Sequence, residues 1–231
     1  LKDEIKEKIE AEVSAWEYMK ELPKSWEGFD LTLHMAVEGD TYDMYSYENQ
    51  SRHRKISVYY HDETKEYKLR TAIGLTEFCR IEFIAPGLKE LEQILRERFE
   101  ALLHAMAAFD GEMVSCIVQE KQILKWEYVD RLPVEIEGFT RFIDPHEPVQ
   151  VINGSYIVFD YCDFATDSNF IIYYNIFRDE FFGESKICKI PEMNYTFDAT
   201  ELIELEEKLD TYFVPHLKQL RQRIQATRGR G

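Results

Sequence analysis

Apolar residues recur at helical spacing at the start and end of each half of this chain, and at alternating spacing between. Ile5, Ile9, Val13 and Trp16, with Lys20 continuing the row, share one face of a helix, and Val114, Ile117, Leu124 and Tyr128 share the face of another. Separations of three, four and seven residues put such positions on one stripe. Leu22-Pro23 and Leu132-Pro133 are the expected stops, because a residue before proline is pushed out of the helical region. Leu31, Leu33, Met35 and Val37 then alternate with Thr32, His34 and Ala36, the period of two that marks a half-buried strand. β-Branched and aromatic runs over 42–47, 55–60, 67–73 and 78–84 extend this into a meander, with polar turns at 49–52 and 61–65. The second half predicts strands over 155–161, 169–176 and 181–190, and a shorter piece near 195–197.

A closing helix ends each half. Leu88, Leu91, Leu95, Phe99, Leu102 and Met106 line the first, and Leu202, Leu205, Leu209, Phe213, Leu217 and Leu220 the second. Pro86 stands at the start of one, and Thr200 is placed to cap the other. Phe109-Asp110-Gly111 reads as the break between the halves.

The two halves match each other. WEYMKELPKSWEGF, residues 16–29, returns as WEYVDRLPVEIEGF, residues 126–139, with eight of 14 positions identical at an offset of 110. Farther on the offset is 114, and Tyr42, Tyr47, Tyr59 and Tyr60 match Tyr156, Tyr161, Tyr173 and Tyr174. Phe83, Leu91, Leu95 and Phe99 match Phe197, Leu205, Leu209 and Phe213. Four extra residues therefore enter the second half between Phe139 and Tyr156. Several blocks in one order predict an internal duplication. The expected architecture is α+β, an α-β4/5-α unit repeated over 1–110 and 111–231. Each antiparallel sheet is expected to carry helices on one face, and the copies to be arranged about a pseudo-two-fold axis, as separate domains or fused into one pseudo-dimeric domain.

Composition narrows the function. Across 231 residues, 45% are hydrophobic and 31% charged, as in a folded globular protein. No apolar run nears the roughly 20 residues of a membrane helix. Forty-four acidic residues against 28 basic ones give a net charge of −16, a field that repels phosphate backbones and argues against nucleic-acid binding. The last 14 residues, from Lys218, hold five bases and no acid, which suits a helix C-terminus followed by a frayed end. Cys79, Cys116, Cys162 and Cys188 form no CxxC pair. Cys79 and Cys188 fall in strand-like runs. Free thiols of this kind fit a reducing cytoplasm, and the start Leu1-Lys2-Asp3-Glu4 has no signal-peptide pattern, although a trimmed leader would leave the same start.

No phosphate-binding glycine loop, HExxH, GxSxG or EF-hand pattern occurs, and neither a cofactor nor a metal is expected. Weak binding candidates remain. Tyr59-Tyr60 and Tyr173-Tyr174 carry an apolar body with a polar tip, suited to an interface or to a sheet–helix core. His61-Asp62-Glu63 lies in a turn, and Asp144-Pro145-His146-Glu147-Pro148 is a stiff loop in the four-residue insertion. Each offers possible cation ligands but reads more simply as solvated surface. His34, on a strand, reads as a hydrogen-bonded structural histidine. Arg52-His53-Arg54-Lys55 reads as a charged strand edge that resists sheet aggregation, with an anion or acidic-partner site as the alternative. Asp160, Tyr161, Cys162 and Asp163 point to alternating faces and are not expected to converge. The sum favours a non-enzymatic, acidic protein-interaction module of chaperone-like, immunity-like or regulatory kind, whose partner is another protein. The alternative is a small-molecule-binding or hydrolytic protein with a pocket between the halves or between sheet and helices.

Overall fold

A computed structural model describes residues 3–229, with side chains from Ile5 onward. Leu1, Lys2, Arg230 and Gly231, on which the leader and tail readings partly rest, lie outside the described residues. The chain is mixed α+β, with one antiparallel sheet of six strands and one of seven. It forms two compact units, one ending at Phe109 and the other beginning at Asp110.

The first unit runs α1 (Asp3–Ser14), α2 (Tyr18–Glu21), β1 (Ser25–Trp26), β2 (Phe29–Glu38), β3 (Thr41–Asn49), β4 (Arg54–His61), β5 (Glu66–Ile73), β6 (Thr76–Cys79) and α3 (Leu88–Ala107). Its sheet is a plain meander, β1-β2-β3-β4-β5-β6. The second unit runs α4 (Cys116–Glu120), β7 (Glu135–Ile136), β8 (Phe139–Ile143), β9 (Val149–Gln150), β10 (Ser155–Asp163), β11 (Ser168–Asn175), β12 (Glu180–Ile187), β13 (Ile190–Ala199) and α5 (Leu202–Arg228). Its sheet order is β13-β12-β11-β10-β8-β7, with β9 also paired to β10.

The sheets hold more than the four or five strands expected of each unit. Glu27 and Gly28 both have positive φ, 52° and 79°, as do Glu137 and Gly138, 51° and 76°. Two such residues make the turn whose twist matches a hairpin, so the Glu-Gly-Phe motif opens a hairpin and adds β1 and β7. Cys188 and Lys189, at φ 48° and 74°, do the same. They pair Ile187 with Ile190 and split the expected 181–190 strand in two. Cys188 thus lies in a turn, and the short piece near 195–197 belongs to a ten-residue β13. The 78–84 run stops at Cys79, and Ile81–Phe83 turns as a 3-10 helix before Ala85 pairs back to Tyr67.

The opening helices are shorter than their stripes predict. α1 ends at Ser14, and Trp16 leaves the helical row. In the second unit the stripe breaks into α4 and 3-10 turns at Ile123–Lys125 and Glu127–Arg131, because Gln122 adopts a left-handed φ of 60°. Short turns allow Val118, Ile123 and Trp126 all to be buried. Thr200 does not cap α5. Glu201 is the N-cap, and the Glu204 carboxylate reaches back to accept from the Thr200 N–H at 3.0 Å, placing negative charge at the positive end of the helix. α5 passes through Pro215, which removes one intrahelical hydrogen bond. Two of its basic side chains are engaged within the unit: Arg221 pairs with Asp163 at 2.7 Å and Arg223 with Glu192 at 2.6 Å.

Two strand readings also change. β4 lies inside the sheet, so Arg52 and Arg54 protect no edge. Their guanidiniums donate to the Ala107 and Met106 carbonyls at the end of α3, where cations complement the helix dipole. β2 is not half-buried. A bulge between Leu33 and Ala36, with Met35 at φ 48°, breaks its alternation and leaves Leu33, Met35 and Val37 exposed.

Each core is an aromatic contact between sheet and closing helix. Phe99 of α3 meets Trp26 and Tyr47, with centroids 5.7 and 5.6 Å away. Phe213 of α5 meets Tyr161, Phe159 and Phe170 at 5.1–6.2 Å. The indole N–H of Trp16 donates to Glu92 on α3, and that of Trp126 to Glu206 on α5, both at 2.7 Å. A hydrogen bond to a charged acceptor contributes about 1.5–3 kcal/mol. Trp16→Phe and Trp126→Phe should each lower unfolding stability by about that amount, read from urea midpoints at constant m. A loss confined to one variant would show that the two contacts are not equivalent.

Candidate functional site

The residues singled out by sequence separate rather than gather. The four tyrosines are buried. Tyr59 and Tyr60 point to opposite faces of β4. Tyr59 lies under the Arg70 guanidinium at 4.9 Å, and Arg70 also meets Asp43 at 3.4 Å and Glu77 at 3.3 Å. Burial raises the Tyr59 phenol and the Asp43 carboxyl above their ordinary pKa values. Tyr60 pairs with Tyr67 at 5.1 Å. Tyr173 stacks on Phe182 at 5.0 Å, and Tyr174 donates to Asp179 at 2.6 Å. The histidines make separate local contacts: His34 with Ser46 at 2.8 Å, His61 with Thr64 at 3.2 Å, and His146 with Asp144 at 3.3 Å. Among the described residues no three His, Cys, Asp or Glu side chains are placed to hold a metal ion, and the four cysteines are free thiols.

Three other arrangements stand out. The first is a groove of about 620 Å³ in the first unit, between α1, the β4–β5 hairpin and the start of α3. Ile5, Ile9, Tyr60, Tyr67 and Leu88 give it apolar surface, while Lys8, Lys65 and Lys89 bring positive charge. Tyr67 fixes two of its walls. Its hydroxyl donates to Glu12 of α1 at 2.7 Å, and its backbone exchanges two 2.9 Å hydrogen bonds with Ala85, just before α3.

The second is a set of polar groups buried in the second unit. Asp160 is fully buried; Cys162 Sγ donates to it at 3.2 Å and Asn169 Nδ2 at 3.1 Å. This corrects the expectation that the 160–163 run would not converge. Residues two apart share a strand face, and Asn169 stands directly opposite Cys162 in the register. Burial pushes the Asp160 carboxyl up to about 7, and the two donors only partly offset it. His216 of α5 meets Ser185 Oγ at 2.9 Å and Asn194 Nδ2 at 3.3 Å. It sits between Phe170 and Phe197, and burial lowers its pKa to about 4. A Ser–His pair resembles a hydrolytic nucleophile and its base, but Ser185 is itself buried in the sheet–helix interior. No motif marks these contacts; only strand register and the helix crossing create them.

The third is a pair of exposed apolar strand edges. Beyond its two residues paired with β1, β2 pairs only with β3, and β13 is the last strand of its sheet. Leu33 is 55% exposed, Met193 47% and Tyr195 73%. Both strands are bulged, and β13 has Pro191 near its start, so their backbones are poor templates for a further strand.

The chain matches no family model, no curated protein and no solved structure. No helix among the described residues is long and apolar enough to cross a membrane.

The buried groups have opposite linkage to pH. Asp160 holds its proton in the folded state between pH 4 and 7 while the unfolded chain has lost it, so its contribution is lost as pH rises through about 7. His216 stays neutral between pH 6.5 and about 4 while the unfolded chain is protonated, so its contribution is lost as pH falls through that window. Asp160→Asn should therefore make stability rise more steeply with pH between 4.5 and 7. His216→Gln should tilt the same curve the other way. Urea midpoints across that range measure both slopes, and parallel curves would refute the assignments.

Proposed function

We propose that this chain is a non-enzymatic protein-binding module, built by internal duplication, that engages another polypeptide through the exposed apolar side chains of β2 and β13. The carrying observation is that each unit presents a long, bulged edge strand with exposed apolar side chains on one face: Leu33, Met35 and Val37 on one, Met193 and Tyr195 on the other. The bulges and Pro191 discourage backbone pairing, so the side chains are what these strands offer. Apolar residues beside polar ones on an exposed face suit a protein interface. The surplus of acidic residues favours a partner whose contact surface is apolar with a basic rim.

Several paired contacts support the duplication. Trp16 stacks on Tyr18 and Trp126 on Tyr128, at 5.1 and 5.3 Å. Tyr47 donates to the Pro23 carbonyl and Tyr161 to that of Pro133, at 2.7 and 2.5 Å. Residues identical at both ends of the internal match thus perform the same contact in each unit. The groove of the first unit favours a second reading, recognition of a small molecule, whereas the buried Ser185 gives the hydrolytic alternative little support.

Exposed substitutions change stability by only about 0.5 kcal/mol, so Met193→Lys with Tyr195→Lys, and Leu33→Lys with Val37→Lys, should fold normally. Each double variant should retain at least tenfold less (about 1.4 kcal/mol) of a partner captured by the intact protein at low salt. Equal capture by both folded variants would overturn the proposal.

A further inference from the structure

We infer that the partner taken by β2 is a cationic amphipathic segment of another polypeptide. This rests on the protein-binding reading and deepens it by naming the chemistry of the contact at one strand. β2 divides its side chains into two rows. Leu33 stands opposite Tyr45 and Val37 opposite Tyr42. Those tyrosines stand opposite Val58 and Tyr60, two residues apart on β4, so Leu33 and Val37 share one face of the sheet. Asp30 stands opposite Glu48 and Glu38 opposite Thr41, which in turn face Lys55 and His61 on the other side of the sheet. Beyond Asp30 the outer edge of β2 pairs with no strand among the described residues. A segment laid along that edge therefore meets an apolar row on one side and a carboxylate row on the other.

The sign of the partner's charge follows from the groups around the strand. Asp43 and Glu48 of β3 are held by Arg70 at 3.4 Å and Lys55 at 3.8 Å. Glu27 is held by His104 at 3.1 Å, and Asp62, whose N–H donates to the Asp40 carbonyl, by Lys65. Arg52 and Arg54 are turned to the carbonyls that end α3, and His34 is engaged by Ser46. Asp30, Glu38 and Asp40 are exposed, and their carboxylates have no hydrogen bond or ion pair among the described residues. Lys24, whose carbonyl accepts from the Leu31 N–H, is the exposed cation beside them. Three carboxylates against one ammonium leave the edge negative. A basic segment is drawn to it, whereas an acidic segment, or the same edge of a second copy, is repelled. β13 differs: its Glu192 is bound by Arg223 at 2.6 Å, and Asp198 lies between buried Phe197 and Ala199, so the strand's own charge selects no sign there.

Ten-residue peptides, as long as β2, separate the cases by calorimetric titration of the full chain: one alternates lysine with leucine, one serine with leucine, and one glutamate with leucine. At about 50 mM salt the lysine peptide should bind at least about fivefold more tightly than the serine peptide, and the glutamate peptide more weakly than either. Salt at about 500 mM should remove most of that difference. Asp30→Asn, Glu38→Gln and Asp40→Asn together should remove it too. Glu100→Gln, Asp130→Asn and Glu207→Gln together, which neutralise exposed acids elsewhere, should leave it in place. No binding of the lysine peptide, equal binding of the lysine and serine peptides, a full preference in the β2 triple variant, or an equal loss in the control variant would each overturn the inference. Leu33→Ser with Val37→Ser should weaken the lysine and serine peptides alike, by about fivefold. Undiminished binding there counts against the protein-binding reading at β2 itself, whereas that loss without any charge preference overturns the inference alone.

Discussion

An indole hydrogen-bonded to a carboxylate one long excursion away ties each unit together. Trp16 and Glu92 are 76 residues apart, and Trp126 and Glu206 are 80 apart. Between them the whole sheet is threaded, so each contact fastens the opening segment of a unit to the helix that ends it. The neighbouring residues extend the clasp. Arg96 lies over Tyr18 while pairing with Glu21 and Glu92. Arg131 lies over Tyr128 while both contact Asp210. Such contacts combine aromatic burial with charge compensation at its rim. Trp16 accordingly leaves the helical row of α1 and is held by its distant carboxylate.

The strands and closing helices were legible because their signals are local. The apolar stripes over 88–106 and 202–220 correspond to α3 and α5, and the runs over 42–47, 55–60 and 67–73 to strands, whereas the alternation of 31–37 does not give a half-buried strand. What escaped reading depends on turns with unremarkable residues or on distant partners. Cys188-Lys189 makes a tight hairpin without glycine or asparagine, so two strands read as one. Gln122 in a left-handed conformation broke a stripe that looked continuous. The basic run at 52–55 resembles an edge guard until α3 ends beside it and supplies carbonyls for Arg52 and Arg54.

The candidate sites were less legible for the same reason. His34, His61 and His146 stood out only as weak binding candidates, and each contacts a neighbour. The groove instead joins residues from three separate stretches, and its lysines look ordinary in sequence. Asp160 and Cys162 share a face by simple alternation, but Asn169 reaches them only through the β10–β11 register. His216 needs a helix crossing to meet Ser185.

This separation of buried and exposed polarity bears on function. In the second unit, Asp160 and His216 are enclosed by donors and aromatic rings, and their opposite pH linkages partly cancel between pH 4.5 and 6.5. Slopes of opposite sign offset one another in the dependence of stability on pH. The accessible features lie elsewhere: a groove in the first unit lined by apolar and charged side chains, and apolar side chains on two bulged edges. A groove selects by size, whereas an apolar edge selects by shape across a larger area. The two kinds of surface share no residue, so a substitution on one leaves the side chains of the other in place.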